Sequence, residues 1–130
     1  MLLVDTSALI AILLKEEDEE HFRNAIATEI SKMAAPTYLE CNAVAISKFG
    51  ERGMQLTDYL VRVLRIEIIP FTADHAQLAS EAFVKYGKGR GHAAQLNFGD
   101  CMSYAVSKLE MMPLLFKGED FRLTDVECAI

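Results

Sequence analysis

At 130 residues, 52% hydrophobic and 25% charged, the chain has the length of one domain and buries a core without staples. Thirteen Lys and Arg against nineteen Asp and Glu leave a net charge of −6, which excludes a simple basic nucleic-acid binder. Three cysteines (Cys41, Cys101, Cys128) without C-x-x-C spacing exclude a disulfide scaffold and a zinc knuckle and suit a reducing compartment.

Met1-Leu2-Leu3-Val4 is a short apolar run ending at Asp5, and it reads as a buried strand. Thr6 and Ser7 start a helix through Leu14; its apolar stretch from Ala8 is too short for a membrane span and has no basic residue before it. The expected location is therefore cytoplasmic, with no membrane association. Glu16 to Glu20 opens a second helix, where acids in a first turn suit the helix dipole and form a solvated start. Lys32 to Ala35 reads as a strand stopped by Pro36. Thr37 opens a helix to about Phe49, and Thr37-Tyr38-Leu39-Glu40 matches a capping box. Gly50 and Gly53 break the pattern before a helix from Met54 to Leu64. Ile66-Glu67-Ile68-Ile69 alternates and is β-branched, so it is a strand ending at Pro70. Thr72-Ala73-Asp74 caps a helix to about Tyr86, and Gly87 to Gly91 reads as a long loop. Asn97 to Met111 is helical, Leu114-Leu115-Phe116 is a short buried strand, and Val126 lies in a last edge strand. Short apolar strands alternating with helices predict one α/β domain over residues 1–130, three layers with a central, mostly parallel sheet.

Four carboxylates fall at predicted strand ends or helix starts: Asp5, Glu40, Asp100 and Asp120. In open α/β sheets such points gather at the carboxyl edge. Each has a plainer reading. Asp5 can be an N-cap, Glu40 half of a capping box, Asp100 an acid in the first turn of a capped helix, and Asp120 a turn residue. The set argues more than its members. Several carboxylates in one partly buried crevice need protons or a cation to compensate them. Mg²⁺ or Mn²⁺ suits oxygen ligands, activates water and binds phosphate, which points to metal-assisted phosphodiester hydrolysis. Other chemistries lack their motifs: Gly87-Lys88-Gly89 is not a P-loop, there is no G-x-S-x-G or H-E-x-x-H, and His21, His75 and His92 are scattered.

Val4-Asp5-Thr6-Ser7-Ala8-Leu9, Leu39-Glu40, Asn97-Phe98-Gly99-Asp100 and Phe116-Lys117-Gly118-Glu119-Asp120-Phe121 together resemble the PIN-domain toxins of the VapC type. Ile69 to Ala76 and the Tyr86–Arg90 loop are also similar, so the likeness runs nearly end to end; Ala93-Ala94-Gln95 departs from it by an apparent extra loop residue. The resemblance implies a PIN-like fold and an endoribonuclease toxin of a type II toxin–antitoxin pair, cutting structured RNA such as tRNA. Asp5 and Asp100 would hold the main metal. Glu40 would hold or polarise water or help bind a second ion, and Asp120 would complete the second position. Thr6, Ser7 and Asn97 would support the site. Lys88, Arg90, His92 and Lys117 would touch RNA phosphate, or stand as solvated loop charges. A homodimer, a cognate VapB-type antitoxin and a larger assembly of the two are implied as well. Candidates for the antitoxin groove are Ile10, Leu13, Leu14, Phe22 and Phe49, with ordinary core packing as their alternative role. Two readings compete with the nuclease: a non-catalytic PIN-like binding module and a metal-dependent phosphatase.

Overall fold

Strand β1 (Leu2–Val4) is buried on both faces, with Leu2 and Val4 pointing one way and Leu3 the other. The computed structural model describes residues 1–130. After β1 come α1 (Thr6–Leu13), α2 (Glu19–Ala27), β2 (Ser31–Ala34), α3 (Ala35–Phe49) and α4 (Arg52–Val63). The chain continues through β3 (Ile66–Ile69), α5 (Ala73–Tyr86), α6 (Phe98–Glu110), β4 (Leu114–Leu115) and a 3₁₀ turn at Asp120–Leu123.

The sheet is parallel throughout, in the order β3-β2-β1-β4, with Leu2 opposite Ser31, Ser31 opposite Ile66, and Leu3 opposite Leu114. Each crossover is a pair of helices. The first two move outward from β1 and place α1, α2 and α4 on one face, against Leu2, Val4, Met33 and Leu115. The third returns to the far side of β1 and places α5 and α6 on the other face, against Leu3, Ala34 and Leu114. A change of direction with constant crossover hand must change faces. The expected three-layer α/β/α architecture is the observed one. Each fully buried Leu or Val in these strands contributes roughly 1.5–3 kcal/mol.

Three details differ from the sequence reading. Helix α3 begins at Ala35 with Pro36 in its first turn, where a missing N–H costs nothing. Thr37 is therefore already inside the helix; no side chain caps it, and the expected Thr37–Glu40 capping box does not form. Gly53 does not break a helix but lies within α4, where a Cβ would fall 2.3 Å from the Ala45 carbonyl carbon, so α3 and α4 touch backbone to backbone. The last edge contact is a single bridge between Leu114 and Cys128, while Val126 is a buried core residue.

Candidate active site

The strand order reverses at β1 and β4, so the crevice beyond their carboxyl ends is where an open α/β sheet holds its chemistry. Asp5 follows β1 there and does cap α1: its Oδ2 accepts from the Ser7 amide at 3.0 Å and the Ser7 hydroxyl at 2.6 Å. Its Oδ1 accepts from the Ser103 hydroxyl at 2.7 Å. Only 4% of Asp5 is exposed.

Glu40 is held from the neighbouring element, with the Thr6 hydroxyl donating to its Oε1 at 2.6 Å. Its carboxylate lies against Gly99, where a Cβ would stand 2.8 Å from either oxygen. A side chain at 99 would push Glu40 away, which gives the glycine of Asn97-Phe98-Gly99-Asp100 a steric purpose. Asp100 forms the capping box of α6. Its Oδ2 accepts from the Asn97 amide at 3.0 Å, and its own amide donates to Asn97 Oδ1 at 2.8 Å.

Burial pushes the Asp100 carboxyl up from 3.8 to about 6, against the lowering effect of the Asn97 amide; the charges of Asp5, Glu40 and Asp120 add to the rise. Three acids from distant parts of the chain thus bear on Asp100. None of the four takes part in an ion pair. Asp120 is exposed, at the start of the 3₁₀ turn beyond β4.

No three His, Cys, Asp or Glu side chains close on one point at ligating distance. A cation here would therefore be held by one or two carboxylates, with waters completing its shell, a coordination that Mg²⁺ accepts. The donors are all oxygens, and one of them is a buried anion without a cationic partner, so the set fits such an ion.

Ser103 was not singled out in the sequence. The signal was its place three residues after Asp100, on the same helix face. The Cys41 thiol is fully buried and pushed up by burial, then by Asp5, with Glu40 adding to the rise and Thr6 opposing it. Cys101 is raised to about 11 by burial and Asp100. Both are protonated wall residues, in keeping with packing beside the site.

The PIN-domain family model matches residues 2–127. A Ribonuclease VapC of Mycolicibacterium smegmatis is 46% identical over 126 residues, covering 96% of this chain and 97% of that one. The chain belongs to the PIN-domain family, among its VapC ribonucleases. Ribonuclease VapC30 of Mycobacterium tuberculosis is 44% identical over 96% of this chain and 95% of its own length. Among solved structures, VapC20 of M. tuberculosis, described as a sarcin-ricin loop cleaving toxin, superposes with a TM-score of 0.79 at 16% identity, over 97% of this chain and 96% of that one. A toxin-antitoxin complex from Klebsiella pneumoniae gives 0.69 at 19% identity, over 93% and 90% of the two chains. At such identities these two structures show the shared fold alone.

Around the acids of this VapC-family ribonuclease, the remaining expected residues separate. Lys88 and Arg90 are exposed and unpaired, on a loop whose neck is closed by Lys88 N–H to Leu96 O at 2.8 Å and Leu96 N–H to Tyr86 O at 2.9 Å. His92 serves that loop: its Nδ1 accepts from the Ala94 amide at 3.0 Å and its ring packs edge-on to Tyr86, which leaves only Nε2 for a phosphate. Lys117 is a correction, because its ammonium is already paired with Glu16 and Asp18 rather than free for RNA. Phe22 is another; at 4% exposure it is core, not groove lining. Ile10, Leu13 and Leu14 are half-buried and Phe49 is exposed. No helix is long and apolar enough to cross a membrane.

Proposed function

We propose that this VapC-family ribonuclease hydrolyses RNA phosphodiester bonds endonucleolytically at Asp5, Glu40, Asp100 and Asp120, with Mg²⁺ or Mn²⁺ as the cofactor. The observation that carries this reading is a set of four carboxylates from four separate elements at one switch point, one of them buried, and none with a cationic partner. A bound divalent ion would polarise the scissile phosphate and make water a usable nucleophile near neutral pH.

Asp5 and Asp100 would hold that ion, with Glu40 and Asp120 as outer ligands or as the second position. The protein prepares the donors. Ser7 and Ser103 each take one oxygen of Asp5 and leave defined lone pairs open. Thr6 fixes Oε1 of Glu40, so that Oε2 can orient a water. Asp100, whose carboxyl is pushed up by burial and further by its acidic neighbours, gains from a cation that offsets both. The unpaired Lys88 and Arg90 supply phosphate contacts just upstream of Asn97.

Structured RNA such as tRNA is the proposed substrate. The protein works as a homodimer in the cytoplasm, and a VapB-type antitoxin neutralises it, within a larger assembly of the two. Ile10, Leu13, Leu14 and Phe49 are proposed to receive the antitoxin. Full-length likeness to ribonucleases leaves the phosphatase and the non-catalytic module without support. The test is cleavage of labelled tRNA by purified protein: it should need added Mg²⁺ or Mn²⁺ and stop with chelator. Metal-independent cleavage, or nucleotides hydrolysed while RNA stays intact, would refute the assignment.

A further inference from the structure

Lys117 links the loop after β4 to both ends of α1. Its backbone amide donates to the Ser7 hydroxyl at 2.9 Å, and that hydroxyl donates onward to Asp5 at 2.6 Å. Its ammonium reaches Glu16 at 2.6 Å and Asp18 at 3.2 Å, in the connection beyond the far end of α1. That connection is itself fixed, since the Glu16 amide donates back to the Ala11 carbonyl at 2.9 Å. Three residues after Lys117 comes Asp120, and the loop between them is closed from behind by the Phe116 and Phe121 rings, 5.1 Å apart.

We propose that Lys117 is a positioning residue for the acid cluster, a strut along α1 that orients the Ser7 hydroxyl toward Asp5 and holds the Lys117–Asp120 loop so that Asp120 faces Asp100. Two features favour this over a phosphate contact. The ammonium is already neutralised by two carboxylates, and the amide half of the residue is committed to the same site. The strut also keeps a cation out of the acidic crevice: Glu16 and Asp18 hold the ammonium away from Asp5, whose oxygens a divalent ion needs. An exposed ion pair adds little to global stability, so the effect lies in placement. A misplacement of about 1 Å at a reacting centre costs up to roughly a hundred-fold in rate.

The proposal rests on the nuclease reading, and its test separates the two. The variants are Lys117→Met, Lys117→Arg and the double change Glu16→Gln with Asp18→Asn, none of which removes an acid of the cluster. Amide hydrogen exchange in metal-free protein reads the strut without any catalysis. The Lys117 amide should exchange about ten-fold faster in Lys117→Met and in the double variant, and near the wild-type rate in Lys117→Arg. With RNA and metal, kcat should fall about ten-fold in Lys117→Met and in the double variant with KM unchanged, and Lys117→Arg should recover most of it. Unchanged exchange in the double variant would overturn the strut whether or not RNA is cut. A raised KM at constant kcat in Lys117→Met would make Lys117 an RNA contact instead.

Discussion

Two helices of this protein begin with the same kind of signature, a short polar residue followed three positions later by an acid, and only one of them uses it. At α6, Asn97 and Asp100 exchange both bonds of a capping box. At α3, Thr37 and Glu40 make neither, because the helix starts earlier at Ala35 and Thr37 turns inward, its hydroxyl 3.4 Å from that of Ser103. The consequence reaches the site. Asp100 serves as cap and as candidate ligand at once, whereas Glu40 owes its position to Thr6 on another element and to Gly99 across the crevice. A cap motif is a local statement, and the packing of Pro36 and the buried Thr37 decided otherwise.

The comparison can be tested from its largest expected effect downward. Replacing Asp5 or Asp100 by Asn should lower RNA cleavage by roughly 10²–10⁴ while circular dichroism stays native, since the amide keeps an oxygen for the cap. Gly99→Ala comes next. The new methyl would displace the Glu40 carboxylate, and cleavage should drop about ten- to a hundred-fold with a small change in Tm. Gly53→Ala is its mirror, because the clash is with Ala45 backbone; it should cost about 1–3 kcal/mol of stability before it costs activity.

The caps themselves separate in thermal melts. Asn97→Ala should lose about 1 kcal/mol, while Thr37→Val should change stability by less than about half of that, for want of a capping bond to lose. Equal losses in the two variants would show that Thr37 caps α3 in solution.

The smallest effect is in pH. Asp100 sits at about 6 in the folded chain against 3.8 as an ordinary carboxyl. An acid raised by folding binds its proton more tightly folded than unfolded. Its contribution is therefore fully present below about pH 4 and is lost as pH rises through about 6. In metal-free protein, the Tm of wild type relative to Asp100→Asn should fall across that window, and saturating Mg²⁺ should reverse the fall. A constant difference would show that neither burial nor its acidic neighbours raise Asp100.

Much of this was legible in the sequence. The strands showed themselves as short apolar runs because both faces of a parallel sheet are covered, and Ile66–Ile69 was read to the residue. The helix ends were legible where Thr72 and Asn97 cap through their own side chains. Asp5, Asp100 and Asp120 were legible because they fall just beyond a strand end or in a first turn, whereas Glu40 lies in the second turn of α3 and was legible only through the Thr37–Glu40 motif. What could not be read depends on contacts between distant segments. Ser103 acts on Asp5 from 98 positions away, Thr6 on Glu40 from 34, and Lys117 on Glu16 from 101. Phe22 looked like any apolar residue of an exposed helix until its burial beneath α1 could be seen.

The strand order carries one further consequence. β4, last of the four in the chain, slots in beside β1, the first, and Asp120 arrives only after it. A chain not yet carrying β4 therefore holds Asp5 and Glu40, at the start of α1 and in the second turn of α3, beside a sheet with an open flank, without the neighbour that completes the crevice. The acid set is thus assembled only when nearly the whole chain has folded, and a chain cut short before β4 would hold three of the four acids without the strand that closes their crevice.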